Sequence, residues 1–199
     1  MREISMPEHV NPSDRQIVLK YSGGKDSGAT WAALIANGLD IAAVVCSDTG
    51  WEADQWYTHL ANMQDVMKRE ITVIRATVQL DDWIEPYALE LEEMLGRYSP
   101  MVRLILKKGM FPWRQGKWCT TILKMETFGE WLEQSDVKQQ LLVTGVRSDE
   151  SKTRALYPVD EADPLGGWSW RPILRWSIED VLEAHRESHI PLCSLYRDG

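Results

Sequence analysis

Short apolar runs alternate with segments of helical periodicity along the first half of the chain. The runs at 16–22, 41–46 and 71–77 are rich in apolar and β-branched residues and predict buried strands. Between them, apolar positions at helical spacing predict helices over 27–38 and 52–70. Strands that alternate with helices in this way are typical of a doubly wound α/β sheet.

The second half of the chain continues the alternation, with longer irregular stretches between its elements. Residues 81–96 predict a helix that takes one of its first two aspartates as N-cap. Residues 138–154 predict a buried strand that opens into a charged loop, 166–177 is strand-like, and 177–189 predicts a helix with a serine N-cap. We therefore expect an α/β fold: a Rossmann-like, doubly wound, mainly parallel sheet with helices on both faces.

The length of the chain bounds its domain organisation. With 199 residues it is long enough for one sizeable core, and we expect a single domain over 15–199. Residues 1–14 are polar and contain Pro7 and Pro12, which predicts a flexible N-terminal arm. No apolar run approaches the roughly 20 residues that span a bilayer and no signal-peptide pattern is visible, so we expect a cytoplasmic protein without membrane contact.

Charge and cysteine content exclude several classes of protein. A formal net charge of -8 excludes a protein that holds nucleic acid by broad electrostatics, so any anion must be bound locally. The three cysteines are scattered without a close pair, which indicates free thiols and not a disulfide framework. The four histidines lack metal-ligand spacing, and we expect His185 and His189 to be solvated or to cap the last helix.

The stretch "SGGKDS" at 22–27 lies between the first predicted strand and the first predicted helix. Gly23 and Gly24 permit backbone angles and close approach that a β-carbon forbids, so successive N–H groups can turn toward one anion at the helix N-terminus. For a bare Gly-Gly pair an ordinary capped turn is the stronger interpretation, but the full hexapeptide after a strand favours a phosphate loop. Its spacing matches neither the P-loop nor the dinucleotide fingerprint.

The polar residues of this loop have different predicted roles. Lys25 adds a positive charge, and the hydroxyl groups of Ser22 and Ser27 add donors. Asp26 would repel a phosphate unless it holds a metal ion, so we expect Mg²⁺ with Asp26 as a ligand.

Five segments together resemble a known family. They are "SGGKDS" at 22–27, "DTGWEADQWY" at 48–57, "KWCTTILKMETF" at 117–128, "GVRSDESKTR" at 145–154 and "RPILRWSIEDV" at 171–181. The first resembles the PP-loop of the adenine nucleotide alpha-hydrolase superfamily, the N-type ATP pyrophosphatases. Within that superfamily the order of the five segments is similar to that of the phosphoadenosine phosphosulfate (PAPS) reductase family.

The resemblance implies a site for an adenine nucleotide, either ATP or a sulfonucleotide (PAPS or adenosine phosphosulfate, APS). Arginine forks on the loop after the fourth strand suit phosphate oxygens, although a solvated charged loop is the alternative. The implied binding residues are Ser22, Gly23, Gly24, Lys25, Asp26, Ser27, Asp48, Thr49, Gly145, Arg147, Ser151 and Arg154.

Two reactions fit this family, and a third hypothesis has no reaction. Lys25 is more typical of members that cleave ATP between the α and β phosphates, with Lys25, Asp26 and Cys119 as candidate catalytic residues. Such an enzyme would adenylate a second substrate, in sulfur metabolism or sulfur transfer. The alternatives are a PAPS or APS reductase, whose expected Glu-Cys-Gly-Leu-His context is absent from "PLCSLYRDG", and a catalytically inactive nucleotide-binding subunit.

The remaining expectations concern cysteine chemistry and partners. Cys119 is the thiol that the motif places best, with a buried structural role as the alternative, and one thiol cannot hold an iron–sulfur cluster. In "FPWRQGKWC" Trp113 and Trp118 interleave with Arg114 and Lys117, which suits stacking on a nucleic acid, although a lid that packs its tryptophans on the domain is the stronger interpretation. We also expect the chain to form a homo-oligomer and to have a partner protein that donates sulfur to it.

Overall fold

A computed structural model describes residues 2–113 and 116–196. Its strands form one sheet in the order β3-β2-β1-β4-β6-β5. The strands are β1 Gln16–Lys20, β2 Ile41–Ser47, β3 Thr72–Ile74, β4 Gln140–Thr144, β5 Asp160–Ala162 and β6 Trp168–Trp170. The helices are α1 Lys25–Ala36, α2 Asp54–Met67, α3 Glu85–Leu95, α4 Pro100–Lys108, α5 Trp118–Thr120, α6 Thr127–Gln134 and α7 Ile178–Ser188, with a π-helical segment Thr121–Glu126 between α5 and α6.

The sheet confirms the predicted Rossmann-like, mainly parallel architecture. β1 pairs in parallel with β2 on one side and with β4 on the other, and β4 pairs in parallel with β6. β5 pairs antiparallel with β6 and was not predicted. Its sequence, Asp-Glu-Ala, carries little strand propensity, so the pairing with β6 places it in the sheet.

Most predicted helix boundaries agree with the structure, and one N-cap prediction is wrong. α1 ends at Asn37 and Gly38, as expected, with Gly38 at φ 68°. α3 begins at Glu85 and not near Asp81 or Asp82, which belong to a preceding turn. Pro86 lies in the first turn of α3, and proline is tolerated there because it lacks the N–H that an inner helical position needs.

The chain divides into two compact units. The first contains residues 1–46, 54–72 and 136–199, and the second contains 47–53 and 73–135. In the first unit, apolar side chains of β1, β2 and β4 pack with the buried faces of α1 and α7, and Trp31, Trp170 and Trp176 are almost fully buried. Trp31 on α1 is therefore a core residue of this unit.

The N-terminal segment lies against the first unit through backbone hydrogen bonds. The indole Nε1 groups of Trp170 and Trp176 donate to the carbonyl oxygens of Ser5 (2.8 Å) and Glu3 (3.0 Å). The buried carboxylate of Asp160 accepts two further N–H groups from residues 8 and 9. Trp170 and Trp176 thus anchor the segment that was expected to form a flexible arm.

The second unit has a small apolar core of its own, formed by Ala76, Val78, Leu104 and Leu123. α3 and α4 are held together by a buried guanidinium: Arg103 on α4 bonds Glu85 and Glu92 on α3. Across residues 2–113 and 116–196, no helix is both long enough and apolar enough to cross a membrane.

Candidate functional site

The register of the sheet brings two loops side by side. Lys20 at the end of β1 pairs with Thr144 at the end of β4, so both strands finish at the same level. Residues 21–24 and 145–147 therefore leave the same edge of the sheet as neighbours. The strand order changes direction at β1, and ligands of open α/β sheets bind at such switch points.

The glycine loop is shaped by a tryptophan on α2. Gly23 has φ 75°, a left-handed conformation that favours glycine, and a β-carbon there would lie 2.3 Å from Nε1 of Trp56. That indole donates to the carbonyl oxygen of Ser22 at 2.9 Å. Trp56 is 6% exposed. Its contact with the loop links residues distant in sequence, and periodicity does not report such contacts.

The two loop serines are bonded mainly to each other and to the loop. Their hydroxyl oxygens, on Ser22 and Ser27, lie 3.1 Å apart. The Ser27 hydroxyl donates to the carbonyl oxygen of Gly24 at 2.9 Å. The hydroxyl groups that the sequence suggested as phosphate donors thus also brace the loop.

Several backbone donors remain open at this turn. Within the described residues, no acceptor lies at hydrogen-bond distance from the N–H groups of Gly23, Asp26 and Ser27. The Lys25 N–H donates to the Tyr196 hydroxyl at 3.2 Å. Because α1 has 12 residues and its positive dipole end lies here, the open donors form a cradle for an anion.

The carboxylate of Asp26 holds two cations. Its Oδ2 accepts from Lys25 Nζ at 2.9 Å and its Oδ1 accepts from Arg147 Nε at 2.5 Å. Each oxygen thus already accepts one charged donor and keeps a second lone pair. No cluster of three or more His, Cys, Asp or Glu side chains suited to a metal occurs in the described part of the chain. The role of Asp26 as a Mg²⁺ ligand stays a prediction.

Arg147 is the cation that the second loop contributes. It is 5% exposed, and its Nη1 donates to Asp149. Burial lowers the pKa of this guanidinium, but the hydrogen bond and charge of Asp26 outweigh burial, with help from Asp149, and the pKa is raised. Nη2 of Arg147 meets no acceptor among residues 2–113 and 116–196, so it can still donate to a ligand.

Gly145 sets how closely the two loops approach. A β-carbon at Gly145 would lie 2.7 Å from the backbone of Asp26 and from the N atom of Ser27. Backbone atoms cannot move aside as a flexible side chain can, so only glycine fits here. The sequence predicted Gly145 as a binding residue, and the structure shows that its role includes packing.

His185 is a site residue that the sequence interpretation placed wrongly. It is 5% exposed, and its Nε2 lies 2.7 Å from the carbonyl oxygen of Lys25. Its Nδ1 lies 3.0 Å from the carbonyl oxygen of Ile190. The position follows Val181 and Ala184 on the buried face of α7, so helical periodicity could have indicated burial. His189 does cap the helix, at φ 55°.

Ser151 and Arg154 bond within their own loop. The Ser151 hydroxyl accepts the N–H of Arg154 at 3.2 Å, and the Arg154 guanidinium forms an ion pair with Glu150. Of the two predicted arginines, the structure brings Arg147 onto the glycine loop and leaves Arg154, whose side chain is 40% exposed, in the charged loop.

Asp48 and Thr49 belong to the second unit, where they build the turn after β2. Asp48 is fully buried, accepts the N–H of Gly50 at 2.7 Å and pairs with Arg75 at 2.7 Å. Thr49 donates to Glu52 at 2.9 Å. Their predicted place near the nucleoside stays a prediction.

Cys119 also lies in the second unit, on α5, and is partly exposed. Trp118 beside it packs on the small core of that unit, with the Nζ of Lys108 5.9 Å from its ring centre. Trp113 is 52% exposed, and Arg114 lies outside the described residues. Trp118 thus follows the packing alternative, whereas Trp113 leaves half of its ring open.

Comparisons with known proteins agree with the fold. A family model for the phosphoadenosine phosphosulfate reductase domain matches residues 16–199. An uncharacterized 37.8 kDa protein of Escherichia phage 186 is 28% identical over 214 residues, which cover 92% of this chain and 63% of that protein. The chain thus spans less than two thirds of the length of this curated relative.

Solved structures of 14% identity share the fold. A phosphoadenylyl-sulfate reductase from Candida auris has a TM-score of 0.63, covering 95% of this chain and 85% of that one. An FMN adenylyltransferase from Candida glabrata, in complex with FMN and the ATP analogue AMPCPP, has a TM-score of 0.52, covering 94% and 51%.

Proposed function

The chain belongs to the phosphoadenosine phosphosulfate reductase family, and from this premise we propose that it cleaves ATP between the α and β phosphates to adenylate a second substrate. A nucleophilic oxygen of that substrate attacks the α phosphorus. The bond from this phosphorus to the α–β bridging oxygen breaks, and pyrophosphate leaves with the bonding electrons. The attacking group releases its proton to solvent, which leaves an adenylated product from which a sulfur nucleophile can displace AMP.

The observation that carries the proposal is the cation pair on the glycine loop. Lys25 Nζ and Arg147 Nε flank one carboxylate at distances of 2.9 and 2.5 Å, next to the open N–H groups of the loop. Negative charge grows on pyrophosphate as it leaves, and preorganised donors aimed at developing charge lower the barrier. Lys25 and the spare Nη2 of Arg147 are suited to that task, with Asp26 as the group that positions both.

The family also contains sulfonucleotide reductases, and the fold is compatible with either reaction. Reduction needs a thiolate that reaches the sulfur of the nucleotide. In the unit that carries the glycine loop, Cys46 is 0% exposed and Cys193 is 4% exposed. Neither of these two thiols is open to a ligand, which leaves Cys119 of the second unit, partly exposed, as the candidate thiol for a reductase.

Calorimetric titration with Mg²⁺ and ATP, and separately with PAPS, tests the choice of nucleotide. We expect tighter binding of ATP, and a loss of about ten-fold or more in affinity for Lys25→Ala because a charge-assisted contact disappears. Lys138→Ala is the matched control, since this exposed lysine precedes β4 and therefore lies at the opposite end of the strand. Tighter binding of PAPS, or equal losses for both variants, would reject the proposal.

Product analysis tests the reaction itself. With water as a slow acceptor, the wild-type protein should release AMP and pyrophosphate in equal amounts, and Lys25→Ala should not. Sulfite release from PAPS with added thiol would instead establish the reductase, and binding without either product would establish a nucleotide-binding subunit.

A further inference from the structure

His185 on α7 is buried with a carbonyl oxygen in front of each of its ring nitrogens. Nε2 lies 2.7 Å from the carbonyl oxygen of Lys25. On the other side of the ring, Nδ1 lies 3.0 Å from the carbonyl oxygen of Ile190. Both distances are those of hydrogen bonds that an N–H donates to an oxygen.

A neutral imidazole does not satisfy this arrangement. It carries one N–H, and its second nitrogen presents a lone pair that can only accept. A carbonyl oxygen also offers only lone pairs, so one of the two contacts would place two acceptors against each other at 3.0 Å or less. A protonated ring has an N–H on both nitrogens and donates to both oxygens. Only the protonated ring satisfies both contacts.

The ring lies against the first turn of α1, the helix that follows the glycine loop. A β-carbon at Gly28 would lie 2.8 Å from Cε1 of His185, so the missing side chain leaves the room that the ring fills. The open N–H groups of Asp26 and Ser27 belong to the same turn. A charge on this ring therefore adds to the positive dipole end of α1, where the anion cradle lies.

No carboxylate neutralises the ring in the described part of the chain. The ring bonds only the two carbonyl oxygens. The carboxylate of Asp26, in the same turn of α1, bonds Lys25 and Arg147 instead. A buried charge without a counter-ion is costly. An anion on the open N–H groups of the turn would supply the missing negative charge.

The neighbouring titratable groups leave the charge on His185. Burial lowers the pKa of His59 on α2, and the charge of His185 lowers it further, so His59 is the neutral ring of the two. Its Nε2 lies 3.2 Å from the hydroxyl of Tyr21, and burial raises the pKa of that phenol. The other charged or titratable groups on the surrounding segments are Lys25 and Asp26 on α1, Arg186 and His189 on α7, and Cys193 and Tyr196 after α7.

We propose that His185 is a positioning residue for the glycine loop, which it holds as a buried imidazolium and whose affinity for anions it strengthens. The inference rests on the proposed function because it takes this loop as the phosphate site. Loss of the ring proton removes one positive charge and one hydrogen bond from the first turn of α1, so anion affinity falls as the pH rises. By linkage, a bound anion stabilises the protonated ring to the same extent.

Nitrogen-15 NMR of the histidine rings in the wild-type chain tests the charge without any variant. At about pH 6 we expect a proton on both ring nitrogens of His185 and on only one ring nitrogen of His59. Added sodium sulfate should extend the doubly protonated form of His185 to higher pH. A single proton on His185 at about pH 6 would overturn the inference and leave the proposed ATP cleavage untouched.

Sulfate titration, followed by the amide NMR signals of the loop at constant ionic strength, tests the coupling. Sulfate is a suitable probe because it keeps its charge over the range in which histidine titrates. We expect wild-type sulfate affinity to fall about five-fold or more between about pH 6 and 8. His185→Gln keeps a donor but cannot change charge, so its weaker sulfate affinity should not depend on pH.

His59→Gln is the matched control for this titration. It removes the other buried imidazole of the same unit, the one that contacts Tyr21, and should keep the pH dependence of the wild type. Absent sulfate binding, equal wild-type affinities at both pH values, or an unchanged pH dependence in His185→Gln would overturn the coupling. A chain that shows the coupling but cleaves no ATP would reject the proposed function alone.

Discussion

Two buried arginines, Arg103 and Arg147, are both neutralised by carboxylates but differ in how many N–H donors they leave without an acceptor. Each is less than a tenth exposed and each is paired with carboxylates. Arg103 uses all five N–H donors on its own unit, whereas Arg147 bonds Asp26 and Asp149 and keeps Nη2 open in the described part of the chain. The difference separates a cation that only stabilises the fold from one that can also bind a ligand.

The largest expected effect comes from removing the saturated arginine. Arg103→Met leaves Glu85 and Glu92 without their cation, and breaking a buried pair costs about 3–5 kcal/mol in the free energy of unfolding. Urea denaturation followed by circular dichroism measures this loss. Arg103→Lys keeps the charge but loses the forked guanidinium, so its free energy of unfolding should lie between those of the wild type and Arg103→Met. Wild-type stability for Arg103→Met would remove the distinction between the two arginines.

The next effect concerns the approach of Arg147 to the glycine loop. Gly145→Ala forces a β-carbon against the backbone of Asp26, which we expect to cost about 1–3 kcal/mol of stability and at least ten-fold in ATP affinity. Calorimetric titration and urea denaturation report the two quantities.

Gly38→Ala separates a clash at the loop from ordinary backbone strain. Gly38 has φ 68° and no atom within 4 Å of an added β-carbon. The Gly38→Ala variant should lose about 1 kcal/mol in free energy of unfolding and keep the ATP affinity of the wild type. Equal ATP affinities for both glycine variants would contradict a role for Gly145 at the site.

Replacing the unsaturated arginine should change binding more than stability. Arg147→Lys keeps a charge near Asp26 but loses the spare donor, so we expect about ten-fold weaker ATP binding. Arg103→Lys serves as the control because it removes a fork that has no free donor. If Arg147→Lys binds ATP as the wild type does, Nη2 does not contact the nucleotide.

The pH dependence of stability tests the ion pair between Arg103 and Glu92. Burial raises the pKa of Glu92, but the hydrogen bonds from Arg103 and Ser99 outweigh burial, and the pKa lies below its usual value of 4.5. The stabilisation from Glu92 is therefore complete above pH 4.5 and is lost as the pH falls through the lowered pKa. The gap in unfolding free energy between wild type and Glu92→Gln should shrink below pH 4.5. The measurement covers roughly pH 3 to 5. A gap that stays constant down to the lower end of this range would contradict the lowered pKa of Glu92.

The smallest effect concerns the other side of the glycine loop. Trp56→Phe removes the Nε1–H that donates to Ser22 and keeps most of the packing, which should cost about 1 kcal/mol or roughly five-fold in ATP affinity. Trp131→Phe, in the second unit, is the control and should leave ATP affinity unchanged. Equal affinities for wild type and Trp56→Phe would show that the indole only packs.

The sequence predicted the sheet and the glycine loop because both depend on local patterns. Apolar runs define β1, β2 and β4, and two glycines between a strand and a helix define a turn that binds anions. The pairing of Asp26 with Arg147 joins residues 121 positions apart, and the contact of His185 with Lys25 joins residues 160 positions apart. Periodicity assigns a residue to a face of its element, but it does not identify the neighbour on that face.

The glycine loop also has an evolutionary consequence. Missing β-carbons at Gly23 and Gly28 are each compensated by one bulky side chain, Trp56 at 2.3 Å and His185 at 2.8 Å from the absent atom. At Gly28 a larger residue requires a smaller one at 185, whereas the φ of 75° at Gly23 disfavours a side chain whatever stands at 56. Among relatives that keep this loop geometry, Gly28 should therefore co-vary with His185 and Gly23 should stay glycine, so that an alignment would reveal the first contact without a structure.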